Sequence, residues 1–443
     1  MADIFLDIHG CDKNRIDTEI LAQKLIDVSH VIVDELSLAD LVIVSTCAFI
    51  TAAVSECISS ILEYAEIKND PNTKLSRIII TGCMPERYRL QVESEIPEAD
   101  GIIGIGCNND IVEVVERILA GTRVAAFDDP TKLPINGRRY ISTPKHYAYL
   151  KIAEGCSNFC SYCIIPFIRG RYRSREVDDI IKEARLLVES GVKELILIAQ
   201  DSSYYGSDLD ENVNLADLLK ELVKIEGLWK IRLLYTYSDH ISDDLIQVMQ
   251  TEPKIAKYID IPFQHASDEI LKNMNRRTTN ADYQSLIEKL RLSMPDIIIR
   301  SSFIVGFPGE TNSHFGELMN FIVTSRLSRV GCFCYSREEG SVASRMKHQI
   351  PDDIKLNRQQ ILMTTQTAIL SEQQNLMIGK QLEVIVDYYD SERGSYCCRS
   401  EYDAPDIDTV VYLSSTNHID IGSVVTVIIN DTDGIDLFGE QSY

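Results

Sequence analysis

The chain of 443 residues lacks a long hydrophobic run and a recognisable leader. No stretch approaches the ~18 consecutive apolar residues of a membrane span. The first residues contain no basic segment followed by an apolar one, which is the pattern of a secretory signal. These absences predict a soluble, cytoplasmic protein that has no membrane partner.

Positive charge is also scarce, because 44 Lys and Arg stand against 67 Asp and Glu and the net charge is −23. Proteins that bind nucleic acid gain much of their affinity from Lys and Arg that neutralise phosphates. The balance therefore argues against a general grip on nucleic acid and favours a basic partner. It still leaves room for a local basic groove.

The twelve cysteines are predicted to be metal ligands or buried apolar groups, since disulfides are rare in a reducing cytosol. Six of them form two sets of three. One set is packed as C-x3-C-x2-C and the other is spaced 36 residues apart: Cys156, Cys160 and Cys163, and Cys11, Cys47 and Cys83. An iron–sulfur cube that is held by three thiolates leaves one iron open to bind another group. The two sets therefore predict two 4Fe-4S clusters.

The compact set lacks the fourth ligand that its main alternatives need. A structural zinc ion takes four N or S ligands, commonly in CxxC-type pairs, and no second pair lies near Cys156 to Cys163. A bacterial ferredoxin run would add a fourth cysteine followed by proline, whereas Ile164, Ile165 and Pro166 come next here. We therefore favour a site-open iron–sulfur cluster over a zinc site.

The first third of the chain alternates apolar runs with helical patterns, which predicts an open parallel α/β sheet. Cys11, Cys47 and Cys83 each follow a predicted strand directly, in the segments IFLDIHGC, LVIVSTC and RIIITGC. Ligands collect beyond the carboxyl ends of such strands, so we expect these cysteines to converge. Cys107 also follows a predicted strand, but it lies off the 36-residue spacing and is interpreted as incidental.

The rest of the chain shows two further patterns. Six strand candidates alternate with helical segments and predict a partial (β/α)6 barrel, with the compact cysteine set after its first strand, where barrels place working residues. Short alternating runs after a long helix predict a small all-β domain. The predicted division is an amino-terminal domain at 1–127, a linker at 128–146, a barrel at 147–376 and a β domain at 377–443.

The segment AEGCSNFCSYCIIPFIRG, at the end of a first barrel strand, resembles the radical S-adenosylmethionine (SAM) superfamily. With the amino-terminal cysteines the resemblance narrows to the methylthiotransferases and covers nearly the whole chain. GCDKNRIDTE, DIPFQHASDEILKNMNRR, FIVGFPGET and YSREEGSVA also look like that family. Within it, GCDKNRIDTE, PFQHASD and RSEYDAPDID resemble the branch that modifies ribosomal protein S-twelve, although Asp12 departs from the proline that is common there.

This resemblance implies a fold, cofactors and a reaction. The barrel would be a radical SAM domain and the β domain a TRAM domain. The cluster at Cys156, Cys160 and Cys163 would use SAM to make a 5′-deoxyadenosyl radical, and the amino-terminal cluster would deliver sulfur. The protein would be a transferase that methylthiolates the β-carbon of an aspartate in ribosomal protein S-twelve. It would need a sulfur donor and an electron donor such as flavodoxin or ferredoxin.

Three residues outside the cysteines are candidate cofactor contacts. Tyr162 is the aromatic residue just before the last cysteine of the compact set. Gln200 ends the second predicted barrel strand and Arg300 lies within the fifth. His265, after the fourth strand, either orients substrate or is a hydrogen-bonded structural histidine.

Alternating arginines follow the compact set at positions 169, 171, 173 and 175. If this stretch is extended, they project to one side, where they hold a cofactor or substrate carboxylate or form a solvated charged face. The cysteines without ligand-like spacing are interpreted as buried or incidental thiols. They are Cys57, Cys332, Cys334, Cys397 and Cys398.

Two other functions stay open at this point. A tRNA methylthiotransferase acting on a modified adenosine would share every cluster residue and take tRNA as its partner. Against it, the tail from Ile378 to Tyr443 carries three basic and thirteen acidic residues, a net charge of −10. A non-catalytic iron–sulfur electron carrier or ribosome-binding module would hold clusters without cleaving SAM.

Overall fold

The structure is a computed structural model that describes residues 1–210 and 213–442. The chain divides into two compact units. The first comprises Met1–Ser142, Lys151–Arg175 and Glu338–Ser341, and the second comprises Thr143–Leu150, Glu176–Arg337 and Val342–Tyr443. None of the described helices has the length and apolar character that a membrane crossing needs. The domain limits drawn from the sequence stay predictions.

The first unit is built on a parallel sheet. Its strands are β1 (Asp3–Ile8), β2 (Val31–Val33), β3 (Leu41–Thr46), β4 (Arg77–Gly82), β5 (Gly101–Ile103) and β6 (Val124–Ala126). They pair in the order β2-β1-β3-β4-β5-β6, and each pairing is parallel. The predicted open α/β sheet is confirmed. The short strands β2 and β6 were not predicted.

Helices cover both faces of this sheet. They are α1 (Asp12–Asp27), α2 (Thr51–Asn69), α3 (Cys83–Arg87), α4 (Arg89–Glu95) and α5 (Ile111–Leu119). Successive side chains of a strand point to opposite faces. Accordingly Val42 and Val44 pack with Ile61 of α2, whereas Ile43 packs in a separate apolar cluster with Leu25 of α1. Burial on both faces explains why the central strands are continuous apolar runs in the sequence.

A short hairpin carries the compact cysteine set. After β7 (Tyr147–Lys151), strand β8 (Ala153–Glu154) pairs antiparallel with β9 (Arg173–Ser174) and closes a loop that contains α6 (Ile165–Arg169). The N–H of Cys156 donates to the carbonyl of Gly170 at 3.2 Å. Gly155 has φ +76°, and a Cβ there would lie 2.2 Å from the carbonyl oxygen of Arg171. Only glycine therefore fits directly before Cys156.

The second unit contains a partial barrel. Its strands are β7 followed by β10 (Glu194–Ile198), β11 (Lys230–Leu233), β12 (Ile255–Asp260), β13 (Ile298–Val305) and β14 (Arg329–Cys334). They lie side by side in chain order, and the pairings from β10 to β14 are parallel. The helices between them are α7 (Val177–Glu189), α8 (Leu215–Leu222), α9 (Asp243–Thr251), α10 (Asp268–Asn273), α11 (Asn280–Ser293) and α12 (Asn312–Ser325). The predicted (β/α)6 barrel is confirmed.

A long helix, α13 (Asp352–Asn375), leads to a small closed barrel. Its strands are β15 (Gln381–Asp390), β16 (Ser395–Ser400), β17 (Val411–Ser414), β18 (Val424–Thr432) and β19 (Leu437–Gln441). Alternate residues such as Leu382, Val384 and Val386 form its apolar core. The prediction of a small all-β domain is confirmed.

The segment RSEYDAPDID of this small barrel forms ion pairs with side chains of the partial (β/α)6 barrel. Asp403 binds Arg329 at 2.9 Å, and Asp408 accepts the hydroxyl of Tyr258 at 2.6 Å. Three of the thirteen acidic residues of the tail are paired with basic side chains outside the tail: Glu401, Asp403 and Asp408. The net charge of −10 therefore overstates the negative charge that the tail presents to solvent.

Candidate cluster and cofactor sites

The amino-terminal cysteines lie at one edge of the first sheet. Cys11 comes just after β1 and is the residue that precedes α1, Cys47 directly follows β3, and Cys83 is the first residue of α3, after β4. Strands β1, β3 and β4 are neighbours, and the strand order reverses between β1 and β3. Such a reversal opens a crevice at the carboxyl ends of the strands. This topology places the three cysteines at one edge of the sheet, and their convergence on a single cluster stays a prediction.

Contacts within the set are close. Gly10 has φ +90°, and a Cβ there would lie 2.6 Å from the Cβ of Cys47. Burial raises the pKa of the Cys83 thiol to about 12, and Cys11 and Cys47 contribute to the rise while Arg169 opposes it. Burial likewise raises the pKa of Cys47 to about 11. Burial thus favours the protonated form of the Cys47 and Cys83 thiols, and binding a metal would displace those protons.

Polar side chains of GCDKNRIDTE and of the strand ends hold this edge together. The amide of Asn14 donates to the carbonyl of His9 at 2.8 Å and to that of Thr46 at 3.4 Å. The hydroxyl of Thr46 donates to the carbonyl of Thr81 at 2.6 Å and accepts the N–H of Met84 at 3.2 Å. These bonds tie the ends of β1, β3 and β4 to one another. These hydrogen bonds thus fix the backbone segments that carry the three cysteines.

The compact set converges within its own loop. The N–H of Cys163 donates to the carbonyl of Cys160 at 3.0 Å, and the N–H of Ile165 donates to the sulfur of Cys163 at 3.4 Å. Burial raises the pKa of the Cys163 thiol, and both Cys160 and Cys156 add to the rise. The thiols of Cys156 and Cys160 are therefore close enough to affect the pKa of Cys163.

Both sets lie in the first compact unit. Helix α6 begins two residues after Cys163 and packs on α3, which begins with Cys83. Ile164 and Ile168 lie in the same apolar cluster as Cys83. The segment that follows the compact set is therefore packed directly against Cys83 of the amino-terminal set.

A buried charge cluster accompanies this packing. It consists of Asp17, Lys151, Glu154 and Arg169, each at most 3% exposed. Arg169 Nη1 donates to Asp17 Oδ2 at 2.8 Å and to Glu154 Oε1 at 3.1 Å, and Arg169 Nη2 donates to Cys83 Sγ at 3.5 Å. Lys151 binds the same two carboxylates. Two cations thus balance two anions in the quartet.

The alternating arginines do not share one face, contrary to the expectation for an extended stretch. Arg169 ends helix α6 and is buried in the quartet. Arg171 is exposed, whereas Arg175 is buried and donates to Asn136 Oδ1 at 2.6 Å and to the carbonyl of Lys151. Helix α6 ends at Arg169 and Gly170 follows with φ +79°, so the stretch from 169 to 175 is not extended throughout.

Both cysteine sets consist only of thiols, which is the donor type of iron–sulfur clusters. Within residues 1–210 and 213–442, no group of three or more His, Cys, Asp or Glu side chains is arranged to hold one metal ion. A four-iron cube differs, because its thiolates bind different iron atoms at separate corners.

The other candidate cofactor contacts lie at separate places. Tyr162 lies between two ligands of the compact set and is partly buried. Gln200 lies two residues beyond the carboxyl end of β10. The guanidinium of Arg300 binds Asp260 at 2.9 Å and lies 3.7 Å from Asp408. All three stay predictions as cofactor contacts, and Arg300 already has two carboxylate partners.

His265 and Cys107 fit structural interpretations. His265 is fully buried, accepts the N–H of Ser267 on Nδ1 at 3.0 Å, and lies 3.6 Å from the carboxylate of Glu310. Cys107 belongs to the apolar cluster of Ile43, on the face of the sheet opposite to the cluster of Cys83.

Sequence analysis missed Glu338, whose segment YSREEGSVA was noted only as resembling the family. Its carboxylate binds Arg87 at 2.8 Å and accepts the N–H of Thr51 at 2.9 Å, and the side chain is 3% exposed. Thr51 begins α2 after the loop of Cys47, and Arg87 ends the helix that begins with Cys83. A buried glutamate between two such segments could have been identified only from the contacts.

Sequence profiles match three parts of the chain. The radical SAM superfamily matches residues 150–322, the Uncharacterized protein family UPF0004 matches 3–104, and the TRAM domain matches 378–441. The first match supports SAM and an iron–sulfur cluster as cofactors. Among solved structures, the radical SAM methyltransferase TsrM from Kitasatospora setae has a TM-score of 0.55 at 14% identity over 74% of this chain and 72% of its own. That likeness shows a shared fold.

Curated relatives match over nearly their whole length. The ribosomal protein uS12 methylthiotransferase RimO of Thermoanaerobacter sp. (strain X514) is 47% identical over 97% of this chain and 98% of its own. The protein of the same name from Clostridioides difficile (strain 630) is 43% identical over 100% of this chain and 99% of its own. The resemblance to the methylthiotransferases is thereby confirmed, and the chain belongs to the RimO family.

Proposed function

We propose that this chain is a radical SAM methylthiotransferase that modifies the β-carbon of an aspartate in ribosomal protein uS12. The observation that carries the proposal is the presence of two three-cysteine sets in one compact unit. Arg169, which follows the compact set in the chain, contacts Cys83 of the other set. The names of the curated relatives support the substrate. The chain would work in the cytoplasm, where ribosomal proteins are found.

The cysteines would hold two four-iron clusters, with Cys156, Cys160 and Cys163 binding one and Cys11, Cys47 and Cys83 the other. When bound, the clusters and SAM supply the radical and the sulfur that replace a hydrogen on a carbon too weakly acidic for an ordinary base. The protein would position the clusters, SAM and the substrate relative to one another. A sulfur donor and an electron donor such as flavodoxin or ferredoxin would serve the clusters.

The residues around the cysteines would orient and protect this chemistry. The packing of α6 on α3 keeps the two sets in one unit, and proximity of this kind saves the entropy of bringing reacting groups together. The apolar cluster around Ile164, Ile168 and Cys83 excludes water from the buried side of the site. Tyr162, Gln200 and Arg300 would contact SAM.

Counting iron tests the two-cluster proposal. After anaerobic reconstitution, the wild-type chain should hold about eight irons, and Cys11→Ala or Cys160→Ala should each lose about four. Cys107→Ala is the matched control, since Cys107 follows the neighbouring strand β5 and should leave the iron content unchanged. Unchanged iron in Cys11→Ala would reject the second cluster.

Mass spectrometry tests the substrate. Ribosomal protein uS12 from cells that carry this gene should be heavier by one methylthio group on an aspartate than uS12 from cells without it. The Cys160→Ala variant should behave like the deletion, because it lacks a ligand of the radical-generating cluster. A uS12 mass that does not respond to the gene would reject this substrate.

A further inference from the structure

Arg169 occupies an unusual position for a buried arginine. Its guanidinium is 1% exposed and contacts two carboxylates on one nitrogen and the sulfur of Cys83 on another. In a fold that needed only an ion pair, Asp17 and Glu154 would satisfy this side chain. The contact with a thiol that the proposed function assigns to the sulfur-delivering cluster calls for a separate explanation.

The quartet fixes the direction of the Arg169 donor. Asp17 lies on α1, six residues after Cys11, and Glu154 lies on β8, two residues before Cys156. Lys151 also binds both carboxylates. Because Arg carries a rigid planar fork, a guanidinium that is held on Nη1 presents Nη2 in a defined direction. That direction is toward Cys83.

Donors to ligand sulfurs change the electronics of iron–sulfur clusters. The reduction potential of a cluster depends on its net charge and on hydrogen bonds to its sulfurs. A cationic donor withdraws electron density from the thiolate and stabilises the reduced, more negative state. The effect is large where water is excluded, because the local dielectric constant is low.

From this geometry we infer that Arg169 is a positioning residue of the amino-terminal cluster. Its guanidinium donates a hydrogen bond to the ligand sulfur of Cys83 and thereby raises the reduction potential of that cluster. The inference rests on the proposed second cluster. It also gives Arg169, which follows the compact cysteine set in the chain, a role at the amino-terminal set, where sulfur would be delivered.

A redox titration tests the inference in the full-length protein. Cys156→Ala, Cys160→Ala and Cys163→Ala together leave only the amino-terminal cluster, whose potential is followed by electron paramagnetic resonance. Arg169→Lys keeps the charge but loses the fork, and Arg169→Gln removes the charge. Arg139→Lys is the matched control, because Arg139 is equally buried and binds Glu19 on the same helix α1 at 2.6 Å.

Both Arg169 variants should keep about four irons and show a more negative midpoint potential, with the larger shift in Arg169→Gln. Arg139→Lys should match the parent. Parent-like potentials in both Arg169 variants at full iron content would overturn the inference. So would failure of both variants to fold as apoproteins while Arg139→Lys folds, since Arg169 would then serve the fold alone.

The second cluster itself is checked separately. Cys83→Ala in the same three-alanine background should lose all iron. Retention of iron by that protein would reject the proposed second cluster, whatever the Arg169 variants show. The two failures are therefore distinguishable.

Discussion

Glu338 binds Arg87 across 2.8 Å although 251 residues separate them in the chain. The same carboxylate accepts the N–H of Thr51, at the start of the helix that follows Cys47. Arg87 in turn donates to the carbonyl of Ala48 at 2.9 Å. One glutamate from the segment after β14 thus connects the start of α2, after Cys47, with the end of α3, which begins at Cys83.

We expect Glu338→Gln to destabilise the first unit. Removing one partner of a buried ion pair leaves an uncompensated charge and costs about 3–5 kcal/mol. The unfolding midpoint in urea should fall, and the amino-terminal cluster should lose iron faster to a chelator. Glu339→Gln is the control, because Glu339 is exposed and only its backbone carbonyl accepts from Arg87. Equal midpoints for the two variants would contradict this role of Glu338.

Gly10→Ala should remove the amino-terminal cluster. Gly10 has φ +90°, and its added Cβ would lie 2.6 Å from the Cβ of Cys47. Gly121 has the same φ of +90° but no atom within 4 Å of an added Cβ. Gly121→Ala should therefore show only the backbone strain, about 1 kcal/mol. Iron analysis should find about four irons in Gly10→Ala and about eight in Gly121→Ala; full iron in Gly10→Ala would show that Cys47 can move aside.

The stability of the second unit should fall in acid. Burial alone would raise the pKa of Asp387, but hydrogen bonds from His146 at 2.7 Å and from Arg399 at 2.7 Å hold that pKa below its usual value. The unfolded chain then binds more protons than the folded one near and below the ordinary pKa of about 4. The stabilisation by Asp387 is therefore complete above about pH 4 and is lost as the pH falls through the folded pKa.

Urea unfolding at several pH values measures this effect. Asp387→Asn should lower the midpoint at neutral pH, and its deficit relative to the wild type should shrink below about pH 4. Asp420→Asn is the control, since the Asp420 side chain is 86% exposed and should give a parallel curve. A deficit in Asp387→Asn that stays constant down to pH ~3 would contradict this assignment.

Gln200→Ala should weaken SAM binding if Gln200 contacts the cofactor. Loss of one or two neutral hydrogen bonds costs about 1–1.5 kcal/mol, which corresponds to a Kd about tenfold higher. Calorimetric titration of the reconstituted protein with SAM measures this. Gln250→Ala, on the exposed side of α9, provides the control. An unchanged Kd in Gln200→Ala would remove Gln200 from the cofactor site.

Much of the fold was predictable because its signals are local. Apolar runs that end in cysteines identified β1, β3 and β4, and strand–helix alternation identified the partial barrel. The two-residue strands β8 and β9 carry no periodic signal, and their pairing depends on the hairpin that closes around the compact set. Their absence from the prediction follows from length alone.

The burial of charge was not predictable in the same way. The sequence predicts that Arg169 binds a cofactor or substrate carboxylate or lies on a solvated face, whereas the structure buries it among Asp17, Glu154 and Cys83 of the protein itself. Asp403 and Asp408 contribute to the net charge of −10 of the tail, yet in the structure they pair with Arg329 and Arg300 of the partial barrel. A charge count contains no information about partners that are distant in the chain.

The sequence by itself determined the number, type and spacing of the six cysteines, and these limit which metal centres can be proposed for them. Only the tertiary structure decided which groups surround them. The order of the parallel strands brings Cys11, Cys47 and Cys83 to one edge, and the packing of α6 on α3 places Arg169 against Cys83. Spacing is a property of the chain, whereas the electrostatic environment of a ligand arises from residues that meet only on folding.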